Sequence, residues 1–146
     1  MSIRPVLIVG VDGGAGARHA LGVAADLAGA TGAALVAVHV AQVPAAVHMA
    51  SGSAAGALVS AIDLAADHAH FDCELILAAR DVPWTFEARH GDTVTELLRA
   101  AEDHEACYII VGRRRRVVVT RMLTRSVTDR LLHLAHRPVV VVPAPG

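Results

Sequence analysis

The chain has 146 residues, 54% of them hydrophobic, with a formal net charge of −1 and a mean hydropathy of +0.49. One domain spanning residues 1–146 fits this length, since single cores typically take roughly 100–200 residues. The apolar share excludes disorder, the composition excludes collagen-like and disulfide-rich secreted classes, and the balanced charge excludes a molecule-wide nucleic-acid footprint.

Continuous apolar runs alternate with helical periodicity along the chain. Residues 6–9, Val-Leu-Ile-Val, form an unalternated aliphatic run, as expected of a strand buried on both faces. The glycine-rich turn 10–16 follows, and from Ala17 a helix stripe of Ala20, Leu21, Ala24 and Ala28 begins. Residues 35–40 read as a second buried strand, and 42–56 as a loose Ala/Ser/Gly/Pro segment. A long helix is predicted over 57–78. Its stripe is Leu58, Ile62, Ala65, Ala69, Cys73 and Ile76, with Asp63, Asp67, His68, His70 and Asp72 on a solvated face. Residues 84–88 are a third strand with period-two character, hence near a sheet edge, and Thr93-x-x-Glu96 reads as a capping box. The helix it starts turns Val94, Leu97, Leu98 and Ala101 inward. Residues 107–111 are a fourth strand leading into Gly112 and an arginine-rich loop. Ser126 caps a last helix with Val127, Leu131, Leu134 and Ala135 inward, Pro138 stops it, and 139–142 form a fifth strand.

This βαβαβαβαβ order predicts an α/β domain: an open five-stranded parallel sheet of Rossmann-like type with helices on both faces. Ligands of such sheets bind outside the carboxyl ends of the strands, where strand order reverses. Asp12 with its glycines, Val40, Gly112, the arginine loop and the helix start at Ser126 fall on that edge. Common phosphate signatures are missing: the turn Gly-Val-Asp-Gly-Gly-Ala-Gly has the wrong spacing for G-x-G-x-x-G, and G-x-x-x-x-G-K-[ST] is absent from a chain without lysine. No G-x-S-x-G nucleophile elbow occurs, and the turn after the first strand contains no serine, so no catalytic residue is assigned and no enzyme is expected. Nine histidines include the pairs His133/His136 and His68/His70. Neither has a zinc-type partner spacing, so no metal site is expected.

Gly112, then two residues, Arg115, nine residues, and Arg125-Ser126 reproduce a spacing that resembles the universal stress protein family, whose phosphate motif is G-x2-G-x9-G-[ST]. Four further segments match the family in order: the turn with Asp12, the His39-Val40 pair, Arg89-His90-Gly91-Asp92, and the closing stretch 136–142. The resemblance spans the chain. It implies Asp12 near the nucleoside, Val40 flanking the base, Gly112 opening the phosphate loop, and Ser126 with the backbone N–H groups of Val127 and Thr128 facing phosphate. It implies ATP or another adenine nucleotide as ligand and a homodimer formed through Val139–Val142. Arg115 and Arg125 depart from it, because glycine there lets backbone approach phosphate closely and a side chain hinders that.

Between Gly112 and Arg137 stand eight arginines against one acid, while the rest of the chain carries five arginines against thirteen acids. Guanidinium groups bind phosphate oxygens in pairs, so side chains could replace backbone as the anion's partner. The loop lacks aromatics for stacking bases, which disfavours nucleic acid. The expectation is a universal-stress-protein-like regulatory binding protein of the stress response with a degenerate adenine-nucleotide site that binds ATP weakly or not at all. Two alternatives stay open: a nucleotide or polyanion binder using the basic loop 113–125, and a protein-interaction or nucleic-acid-contact module using the same loop. Cys73 and Cys107 are too few to staple the domain and are expected to be buried, reduced residues in the cytoplasm. The apolar run 6–11 ends at Asp12, too short for a signal peptide, and polar residues interrupt the stretch 32–66, so no membrane span is expected.

Overall fold

The structure is a computed structural model and describes residues 3–43, 49, 51–113 and 126–145. Among the described residues, strands β1 (Val6–Gly10), β2 (Ala34–Ala41), β3 (Trp84–His90), β4 (Tyr108–Gly112) and β5 (Val139–Val142) alternate with helices α1 (Ala15–Thr31), α2 (Ser53–Leu77), α3 (Thr93–Asp103) and α4 (Val127–Leu134). All strands are parallel, in the order β3-β2-β1-β4-β5. The chain winds outward from β1 through β2 to β3, then returns to β4 on β1's other side, so order reverses between β1 and β4. The predicted α/β class and parallel sheet are those observed.

The central strands carry the β-branched runs because both their faces are covered. On one face α1 and α2 bury Leu7, Val9, Leu21, Leu35, Ala37 and Ile110; on the other α3 and α4 bury Ile8, Val38, Leu97, Ile109 and Leu131. Small residues at Ala20, Ala24 and Ala28 let α1 lie close against the sheet, all three fully buried.

Several local expectations need correction. Helix α1 starts at Ala15 rather than Ala17. Helix α2 starts at Ser53, and of its expected stripe only Ala69 and Cys73 are buried; Leu58, Ile62 and Ile76 are half-buried and Ala65 is exposed. The first half of α2 simply extends past the apolar surface that could cover it. Asp92, not Thr93, caps α3, because its carboxylate accepts the Thr95 N–H at 3.0 Å. Leu134, expected inward, is exposed because α4 ends there, one turn after the buried Leu131. Cys73 is buried but Cys107 is exposed, in the turn before β4. No helix among the described residues is long and apolar enough to cross a membrane.

Candidate functional site

The site lies at the carboxyl rim of the sheet, at the reversal between β1 and β4. Three devices shape it. After β1 the Asp12 carboxylate accepts the Gly14 N–H at 2.8 Å, closing an Asx turn, and Gly13 takes a φ of +82° that side chains seldom adopt. Arg18, one turn into α1, donates to the Gly13 carbonyl at 2.9 Å and reaches Asp72 of α2 at 3.4 Å. That places a guanidinium across the gap between the two helices. Asp12, Gly13, Arg18, Ala65, His68, Phe71 and Asp72 line a cleft of about 360 Å³ there.

The second device is a backbone contact. A Cβ on Gly112 would stand 2.5 Å from the Gly16 carbonyl oxygen, and one on Gly16 would stand 3.3 Å from the Arg113 carbonyl oxygen. The end of β4 and the first turn of α1 therefore touch main chain to main chain. No other residue type fits at Gly112 without moving one of them.

The third device fixes the start of α4. Ser126 is its N-cap, its Oγ accepting the Asp129 N–H at 3.1 Å. Arg130, one turn along, donates two parallel hydrogen bonds to Asp92, at 2.9 and 3.1 Å. Paired geometry of this kind fixes orientation as well as distance. The Arg130 guanidinium and then the Thr95 backbone N–H hold the Asp92 carboxyl well below the usual carboxylate range. Thr93 in turn accepts Gln42 Nε2 at 3.2 Å, tying the segment after β2 to the same helix start.

His39 sits at the end of β2 and is 7% exposed. Its Nδ1 lies 3.0 Å from the Val11 carbonyl oxygen. A carbonyl only accepts, so Nδ1 is the donor of this contact. Val40, next in the strand, turns to the opposite face and packs half-buried against the α3/α4 core.

The predicted site residues thus divide. Asp12 follows β1 and Gly112 ends β4, adjacent strands at the reversal; Val40 is near the end of β2. Ser126, Val127 and Thr128 begin α4, which runs back to β5 and so starts at the same rim. Arg115 and Arg125 lie outside the described residues. Two of the eight arginines counted from Gly112 to Arg137 lie beyond the loop 113–125 and are committed elsewhere: Arg130 to Asp92, and Arg137 to the Ala106 carbonyl at 2.8 Å. Sequence reasoning missed Arg18 and the Arg130–Asp92 pair. The residues of that pair are 38 positions apart, and no local spacing signals them. Among the described residues no three His, Cys, Asp or Glu side chains converge as metal ligands.

A parallel α/β sheet with a glycine-framed rim at its strand-order reversal, facing a capped helix start, is the open doubly wound architecture whose ligands bind outside the carboxyl ends of the strands. Comparison with known proteins makes the class specific. Residues 5–143 match the model of the universal stress protein family, and the chain belongs to that family. A universal stress protein family member from Burkholderia pseudomallei is 29% identical, with 99% of each chain covered and a TM-score of 0.77. Universal stress protein UspA from Lactobacillus plantarum shares the fold at 22% identity and a TM-score of 0.78, covering 97% of this chain and 99% of its own. So does a universal stress protein from Archaeoglobus fulgidus in complex with dAMP, at 16% identity and 0.69, with the same coverage. No curated protein matches the sequence.

Proposed function

We propose that this chain is a single-domain, cytoplasmic regulatory binding protein of the stress response, with an adenine-nucleotide site that has kept its frame and lost its phosphate cradle. The observation that carries this reading is the main-chain contact of Gly112 with Gly16. It preserves the point from which the family's phosphate loop departs, while the two later glycine positions of that loop hold Arg115 and Arg125. In this reading Asp12 and Val40 address the nucleoside. The N–H groups of Val127 and Thr128 face the anion at a helix start. ATP binds weakly or not at all, because two bulky cations occupy positions that need bare backbone. Turnover is not part of this reading, which assigns no nucleophile–base pair among the described residues of the rim.

Melting temperatures with adenine nucleotides test this on wild type and on Arg115→Gly/Arg125→Gly. Ligand at a hundred times its Kd stabilises by about 2.7 kcal/mol, which for a domain this size is a shift of about 5 °C or more. That shift is expected in the glycine variant and not in wild type. A strong wild-type shift would instead assign phosphate binding to the arginine side chains. Retention on a polyanion column that salt weakens, without nucleotide response, would assign the loop to macromolecular contact.

The same reading includes a homodimer. Strand β5 is at a sheet edge, and Val139, Val140 and Val141 are only half-buried. An uncharged valine edge is a template for pairing unless another chain covers it. Sedimentation at tens of micromolar is expected to give a dimer that Val140→Lys dissociates; a monomeric wild type would refute it.

A further inference from the structure

Helix α2 has a second apolar line that the described residues leave exposed. At 25 residues it is the longest helix, about 37 Å at the α-helical rise, and none of residues 53–68 is buried. Its buried stripe is Ala69, Cys73 and Leu77. On the opposite side run Ala57, Ala61, Leu64, His68, Phe71 and Leu75, every one exposed. Their spacings alternate four and three, the repeat of a coiled-coil seam. Leu64, Phe71 and Leu75 are 55%, 56% and 61% exposed. Single exposed leucines are ordinary, but three large apolar side chains in register along one helical line are a surface for another helix.

The flanks of the seam determine which helix fits. Asp67 and Glu74 border one side and Asp72 the other, and α2 carries four acids with no lysine or arginine. Asp72 is shared with Arg18, and Glu74 lies 3.5 Å from His70, so the flank is only partly neutralised. A second copy of α2 would bring the same acids. In a parallel pair Asp67 would meet its partner's Asp72, and in an antiparallel pair acids would again face acids. Anionic lipid is repelled for the same reason. We infer that this seam docks an amphipathic helix of a partner protein whose apolar heptad positions are flanked by arginine or lysine. The small Ala57 and Ala61 admit close approach at one end, Phe71 and Leu75 supply the large contacts at the other, and the polar His68 between them sets the register.

The test uses the full-length protein and two labelled four-heptad peptides, both with leucine at the seam positions. One carries arginine on both flanks and the other glutamate. The arginine peptide is expected to bind by fluorescence anisotropy, more weakly as salt rises, and the glutamate peptide not to bind. Leu64→Gln/Leu75→Gln should weaken binding about tenfold or more with an unchanged melting temperature, because both side chains are already in solvent. Equal binding of both peptides, binding of neither, or full binding to the double variant would overturn the inference. So would a wild-type dimer that the double variant alone dissolves, which would give the seam to a second copy. His68 and Phe71 also line the rim cleft, but Leu64 and Leu75 lie outside it and the peptides are tested without nucleotide, so failure here is distinguishable from failure of the nucleotide reading.

Discussion

The two helical layers of this domain are secured by different physics. The α1/α2 layer relies on burial: neither helix has a side-chain N-cap, and α1 is seated by alanines and Leu21 pressed into the sheet. The α3/α4 layer is shorter and held by polar clamps as well. Asp92 and Ser126 cap its helices, Arg130 joins them, and Arg89 bridges Glu87 and Asp103 at 2.9 and 2.7 Å. The first layer depends on filled volume, with the Arg18–Asp72 pair between its helices in addition. The other positions a helix start at the rim by charges that pH can reach.

The largest effect that would sharpen this contrast is expected in the apolar layer. Leu21→Ala empties a fully buried site and should cost about 3 kcal/mol in urea unfolding, with no dependence on pH between 4 and 8. A loss under about 1 kcal/mol would mean that α1 closes the gap and that burial is not what seats it.

Asp92 should show the opposite profile. Asp92→Ala removes the cap of α3, about 1 kcal/mol, and frees the start of α4. Asp92→Asn retains a capping oxygen and should cost less. The carboxyl of Asp92 is held below its ordinary value in the folded state. Its contribution is therefore complete above the unfolded carboxylate pKa of about 3.9 and fades as pH falls through the lower folded value. The stability gap between wild type and Asp92→Asn should be constant from pH 5 to 8 and close on acidification below about 4. Glu87 acts in the same direction: burial, its largest single influence, raises its pKa, but hydrogen bonds from Arg89 and His104 outweigh that and leave it lowered. An unchanging gap at low pH would break the distinction between the layers.

The sheet was legible because its central strands are unbroken aliphatic runs that no amphipathic helix would tolerate, as at 6–9 and 109–111. Helix α2 was misread in detail because alanine is spread over all its faces. A stripe through Leu58 and Ala65 and another through Leu64 and Phe71 have equal claim until the sheet shows where it ends. The cap of α3 was displaced by one residue, since Thr93-x-x-Glu96 satisfies a capping box while Asp92 is a better N-cap immediately before it. At the rim, Asp12, Gly112 and Ser126 were readable from glycine placement and spacing. The Asp92–Arg130 tie was not, because it joins two helices that only the folded sheet brings together.

The seating of Gly112 on Gly16 also bears on how this surface can change over evolutionary time. A strand end wedged against a helix start admits no side chain, so any substitution there must displace main chain. Downstream residues can then be exchanged, lengthened or recharged as a cartridge is swapped in a rigid holder. The arginine side chains after Gly112 are thus a feature of the sequence that this main-chain contact neither requires nor forbids.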